Sequence, residues 1–149
     1  MTTPKAAKRT RANMSKEKVV PETAFNEETI MATFTYKDSR IRLSRGIIRK
    51  LGTPPFVRLL IKPEKLIMCV QPCDSNKEYG TFKVPKNIFG ENGKFRINSA
   101  YFIIMLWERM GWEEGLSYSV TGKYNTENNV ALLNLADWSI SSVEVNKTI

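Results

Sequence analysis

Residues 40–73 read RIRLSRGIIRKLGTPPFVRLLIKPEKLIMCVQPC, and three successive patterns within them decide the fold class. Arg40-Ile41-Arg42-Leu43 alternates charged and apolar side chains, the period of a strand with one face in a core. Ser44 follows with a hydroxyl where a helix N-terminus needs an acceptor. Ile47, Ile48 and Leu51 then supply one apolar helix face, and Arg49 and Lys50 fall in the last turn, where cations suit the helix dipole. Gly52 can take the left-handed conformation that ends a helix, and Pro54-Pro55 cannot continue one. Phe56–Ile61 and Leu66–Val70 are apolar runs joined by Lys62-Pro63-Glu64-Lys65, which predicts a hairpin.

So short a helix needs tertiary packing to form at all. The predicted hairpin is apolar on both faces, with Val57, Leu59 and Ile61 against Leu60, and Leu66, Met68 and Val70 against Ile67 and Cys69. Strands of that kind call for cover on two sides. One small unit cannot supply it, whereas a second copy can.

Outward from this stretch, Met31–Tyr36 (MATFTY) alternates and is rich in strand formers, and Lys37-Asp38-Ser39 turns it into Arg40–Leu43. The order hairpin, helix, hairpin then recurs. Tyr79–Phe89 holds a strand whose far end Pro85 confines to an edge or bulge, and Gly90-Glu91-Asn92-Gly93 is a turn. Lys94-Phe95-Arg96-Ile97 repeats the alternation of Arg40–Leu43, with Asn98 in the capping place of Ser44. A longer helix, Ala100–Met110, closes on Gly111 as the first closes on Gly52; two strands follow at Leu116–Val120 and Val130–Leu135. The expected fold is mainly β with short helices (α+β): two tandem ββαββ units at 31–75 and 76–138. A flexible basic tail and polar connector precede them (1–30), and a C-terminal tail follows (139–149).

Composition narrows the function. No apolar run approaches a membrane span, the basic N-terminus lacks a signal peptide's apolar segment, and two cysteines make no disulfide framework, so the expected compartment is the cytoplasm. The chain has no histidine, and Cys69 and Cys73 alone cannot make a structural metal site. No Gly-rich phosphate loop or dinucleotide fingerprint occurs, so no enzyme, cofactor or small-molecule substrate is expected. The net charge is +8, unevenly spread: residues 1–20 carry +5, residues 37–70 carry +7, and residues 99–149 carry −3. An anionic polymer is the natural partner of such asymmetry.

Ser39–Gly52 resembles, without a gap, the strand–helix stretch of AbrB-type bacterial DNA-binding proteins that ends in Arg-Arg-x-Leu-Gly; here that ending is Arg49-Lys50-Leu51-Gly52. Two units in one chain resemble the MraZ variant. The resemblance implies an interlaced, barrel-like pseudo-dimer of swapped hairpins that binds double-stranded DNA in transcription regulation, of bacterial or phage and mobile-element origin. It implies duplex contacts at Arg40, Arg49 and Lys50. The chain departs from the family at Ser39 and Ser44, where glycine and proline are usual, and again where Trp107, Trp112 and Glu113-Glu114 replace the cations of the first unit.

Charge extends the expected DNA surface to Arg40, Arg42, Arg45, Arg49, Lys50, Arg58, Lys94 and Arg96, since almost no acid is interleaved among them. Phe102, Ile103, Leu106 and Met110 are spaced as a core face. Tyr101, Trp107 and Trp112 either complete that core or form an aromatic patch for a protein partner. The alternative function is accordingly a protein-interaction module, such as an antitoxin or a phage-encoded inhibitor, or self-association.

Overall fold

In the computed structural model, residues 29–143 are described apart from 63, 77, 78 and 92, so the expectations for residues 1–28 and 144–149 lie outside the described residues. The elements are β1 (Met31–Thr35), β2 (Arg40–Leu43), α1 (Arg45–Lys50), β3 (Phe56–Lys62), β4 (Ile67–Cys73), β5 (Thr81–Lys83), β6 (Phe95–Asn98), α2 (Ala100–Met110), β7 (Leu116–Asn125) and β8 (Val130–Val143). The eight strands form one antiparallel sheet, ordered β5-β3-β4-β8-β7-β1-β2-β6, that curls into a nearly closed barrel. No helix among the described residues is long and apolar enough to cross a membrane.

Alternation decides which side of each strand faces the core. Ala32, Phe34, Ile41, Leu43, Val57, Leu59, Met68 and Val70 are all buried inside the barrel, joined from the second half by Phe95, Ile97, Tyr118, Val120 and Leu133. The β3–β4 hairpin does not receive full cover on two faces. Leu60, Ile67 and Cys69, on its outer face, are only half-buried, as is Ile61, which packs on the edge of the core. Burial still pushes the Cys69 thiol above its ordinary value, with Lys62 acting in the opposite sense.

Both helices end as their glycines predict. Gly52 (φ 87°) and Gly111 (φ 68°) are left-handed, and the Thr53 N–H donates to the Ile48 carbonyl at 2.9 Å, the long return bond of a Schellman motif. The starts differ from expectation. The Ser44 hydroxyl makes no cap; it donates to the Thr29 carbonyl at 2.6 Å and accepts from the Met31 N–H at 3.1 Å, pinning the entry into β1. Ser99, not Asn98, caps α2, accepting from the Phe102 N–H at 3.4 Å. Asn98 remains the last residue of β6, and its amide bonds elsewhere.

The long β7–β8 hairpin holds the barrel together. Its outer end pairs β8 with β4, and its other end pairs β7 with β1, with register shifts at Ser117/Tyr118 and Val120/Gly122. Gly122 makes the bend possible: a β-carbon there would stand 1.9 Å from the Leu132 carbonyl oxygen. β8 also runs past the expected end of the second unit at 138, because Trp138 and Ile140, paired with the buried Val120 and Tyr118, again pack on the core after a shift in parity.

Candidate nucleic-acid interface

Four of the eight expected cations meet on one ribbon. β2 pairs with β6 in the register Arg40↔Asn98, Ile41↔Ile97, Arg42↔Arg96, Leu43↔Phe95. The apolar members of these rows are at most 3% exposed, so Arg40, Arg42 and Arg96 must project outward. Lys94 precedes β6 with the same parity as Arg96 and is exposed. Arg42 and Arg96 therefore stand directly opposite one another, both exposed.

The turn end of the ribbon is fastened. Arg40 pairs with the Asp38 carboxylate, Asn98 donates its side-chain amide to the Asp38 carbonyl at 2.9 Å, and the Ser99 N–H donates to the Ser39 carbonyl at 2.9 Å. Ser39 itself takes the left-handed conformation (φ 49°) that a glycine would adopt freely.

Hydroxyls continue the face beyond the arginines, half-buried at Thr33, Thr35 and Ser119 and buried at Ser117. Thr33 and Thr35 of β1 lie opposite Arg42 and Arg40, and β7 adds Ser119 and Ser117 opposite them in turn. The Thr33–Ser119 and Thr35–Ser117 oxygens are each 3.0 Å apart. These residues were absent from the sequence-based site, although the alternation in MATFTY and LSYSV places their hydroxyls on the face away from the core.

The other four cations lie apart from this ribbon. Arg45 is half-buried and donates to the Ile88 and Gly90 carbonyls at 3.3 and 2.9 Å. The Arg49 guanidinium lies 4.2 Å over the Phe89 ring. The shared helix face of Arg45 and Arg49 thus clasps the turn before β6, and Lys50 lies exposed beside them. Arg58 on β3 donates to the Tyr79 carbonyl at 3.3 Å.

The aromatic patch divides. Tyr101 is 57% exposed and meets Tyr79, itself 73% exposed, edge-on at 5.9 Å. Trp107 and Trp112 are core residues rather than patch residues, at 6% and 7% exposure. Trp107 shares the helix face of Ile103 and Leu106, and the left-handed Gly111 returns the chain so that Trp112 stacks on Tyr118 at 4.4 Å. Phe34, Tyr36 and Trp138 complete the cluster. Neither the Trp107 nor the Trp112 indole N–H has a hydrogen-bond acceptor, though both are buried. Among the described residues no group of three or more acidic, cysteine or histidine side chains could hold a metal ion.

Comparison with protein-family models, with curated proteins and with solved structures finds no match to this chain.

Proposed function

We propose that this chain binds double-stranded DNA through the outward face of the β2–β6 ribbon, as a cytoplasmic transcription regulator of bacterial or mobile-element origin rather than an enzyme. The observation that carries the proposal is the row structure of that face. Arg40, Arg42, Lys94 and Arg96 project together, flanked by the half-buried Thr33, Thr35 and Ser119, with Asp38 the acid beside them. A two-stranded ribbon fits the major groove, arginine suits phosphate and guanine edges, and hydroxyls add phosphate contacts. The rows contain no aromatic ring on which single-stranded bases would stack, which favours a duplex over single-stranded RNA or DNA.

The same proposal takes the chain as two interlaced ββαββ units. What supports it is the strand order. Exchanging β1–β4 with β5–β8 returns the same cyclic sequence, with β1 on β7 and β5 on β3. The sequence repeat aligns Arg42 with Arg96, and these two are partners in the β2–β6 register, where a pseudo-two-fold axis would pass. β5, only three residues long, makes no pair with β6, so the second unit is the less regular copy.

The test is fluorescence anisotropy of a random-sequence duplex across a salt series. Four phosphate contacts predict a slope of about −3.6 in log affinity against log salt. The variant Arg40→Gln/Arg42→Gln/Arg96→Gln is expected to flatten that slope to about −1 and to leave the melting transition in place. Unchanged affinity in a folded triple variant refutes the assignment.

A second reading rests on Tyr79, Tyr101 and Ile104, the large exposed apolar side chains among the described residues, at 73%, 57% and 47%. They favour a protein partner on the outer side of α2. Stoichiometric capture of a protein, lost in Tyr101→Ser/Ile104→Ser and accompanied by no duplex binding at low salt, would decide for it.

A further inference from the structure

We infer that the outer face of α2 docks on the same face of a second copy of this chain, the two helices antiparallel across a two-fold axis beside Ile104. The inference names an occupant for the surface of the second reading above, rests on that surface alone, and holds with or without DNA binding.

A surface helix normally carries polar side chains opposite its core face. α2 does not. Phe102, Ile103, Leu106 and Trp107 are buried in the barrel, yet the other side runs Ala100, Tyr101, Ile104 and Met105 before its first polar residue, Glu108. Tyr101, Ile104, Met105 and Glu108 stand at i, i+3, i+4 and i+7, one continuous stripe. Tyr79 extends the stripe beyond Tyr101 and is held in place. Its ring meets Tyr101 at 5.9 Å, its carbonyl accepts from Arg58 at 3.3 Å, and the neighbouring Gly80 carbonyl accepts from the Leu59 N–H at 3.0 Å. Towards the other end, a cavity of about 40 Å³ with apolar walls opens between Met105, Leu106 and the β3–β4 turn at Ile61 and Leu66.

Charge and shape select a second copy. Arg58 lies at the Tyr79 end of the stripe, whereas the far end carries the exposed Glu108, Glu113 and Glu114 against the single Arg109. Antiparallel pairing sets each end against its complement, and a partner of uniform charge would suit only one of them. Pairing about Ile104 also places Tyr101 opposite Glu108 of the second copy, phenol to carboxylate, and Ile104 opposite Met105, at the rim of the apolar cavity. The area is sufficient for a weak dimer. At 73%, 57% and 47% exposure, Tyr79, Tyr101 and Ile104 offer roughly 350 Å² per copy, taking a fully exposed tyrosine as about 200 Å². The pair buries about 700 Å² from these alone and about 1,000 Å² with their neighbours, which fits a micromolar, exchanging dimer rather than an obligate one.

The experiment is sedimentation velocity of the full chain from about 1 to about 500 µM. Wild type should pass from 17.1 kDa towards twice that mass, with a midpoint of about 10–100 µM. Tyr101→Ser/Ile104→Ser should weaken the dimer at least about 30-fold and keep its thermal transition, since both side chains are exposed. Salt at about 0.5 M should change the dimer less than about threefold, because its burial is apolar, whereas duplex binding through phosphates would collapse. In a Cys69→Ala/Cys73→Ala background, Ile104→Cys should form a disulfide-linked dimer at least about tenfold faster than Glu127→Cys, exposed in the β7–β8 turn. The cross-link decides by itself where the double variant loses its fold.

A wild type still monomeric at about 500 µM overturns the inference, as does an undiminished dimer in the folded double variant. Equal cross-linking at 104 and 127 overturns the antiparallel pairing. A monomeric wild type that captures another protein through Tyr101 and Ile104 overturns the second copy and keeps the second reading. A dimer lost in the double variant, with duplex binding retained there, supports the inference and leaves the DNA reading standing.

Discussion

Replacing Gly122 by alanine tests whether the β7–β8 bend organises the barrel. The new β-carbon would lie 1.9 Å from the Leu132 carbonyl oxygen and 2.8 Å from the Leu132 carbonyl carbon and the Leu133 α-carbon. Carbon–oxygen contacts between strands settle near 3.3–3.6 Å, so the strands must part by about 1.4 Å. Sheet hydrogen bonds cannot stretch that far, and the Gly122–Leu133 pair fails with its neighbours. The Gly122 N–H also donates to the Ile30 carbonyl at 3.0 Å, so the entry to β1 loosens as well. Three backbone bonds at about 1 kcal/mol each, with disturbed packing at the fully buried Leu133, give a loss of about 3–4 kcal/mol. For a domain of this size that lowers the melting temperature by roughly 6–15 °C, read by tryptophan fluorescence and confirmed by urea unfolding. Two controls separate the causes. Gly111→Ala meets no atom within 4 Å but keeps a φ of 68°, so backbone strain alone should cost about 1 kcal/mol. Gly115→Ala has neither problem and should stay within about 0.5 kcal/mol. A Gly122→Ala protein melting within about 2 °C of wild type would refute the steric reasoning.

Three further outcomes follow from the packing. Arg45→Ala should cost about 1–2 kcal/mol in urea unfolding, because it removes the charge-assisted bonds to the Ile88 and Gly90 carbonyls, whereas exposed Lys50→Ala should change stability by less than about 0.5 kcal/mol. Trp112→Ala should cost about 3–5 kcal/mol and abolish most of the near-ultraviolet circular dichroism, while Trp112→Phe retains a folded transition. Burial raises the Cys69 thiol pKa, so the folded state holds that proton longer than the unfolded chain does. Stability should therefore fall as pH climbs through and above the ordinary thiol range; Cys69→Ala should lose that component of the slope, and iodoacetamide should label Cys69 more slowly than it labels the unfolded chain.

Local periodicity made much of the fold legible. Alternation placed Arg40, Arg42 and Arg96 outward and Ile41, Leu43, Phe95 and Ile97 inward, as the barrel has them. Gly52 and Gly111 marked the helix ends through their freedom at positive φ. The spacing of Phe102, Ile103 and Leu106 marked the core face of α2. Each of these depends on residues within a few positions of one another. Caps were less legible: Ser44 and Ser99 both carry hydroxyls, but only Ser99 caps, because Ser44 is drawn to the chain entering β1.

Partnership between distant segments belonged to the tertiary structure alone. Nothing in Arg40–Leu43 or Phe95–Asn98 says that these strands pair, still less in a register that sets Arg42 against Arg96. Nor does composition distinguish Arg45, tied to two backbone carbonyls, from Arg42, which projects from a sheet. Trp107 and Trp112 could be placed inside only once β1, β7 and β8 had brought Phe34, Tyr118 and Trp138 around them. The physical reason is common to all three cases. A side chain's face follows from the period of its own segment, whereas its neighbours depend on a loop-closure choice made by the whole chain at once.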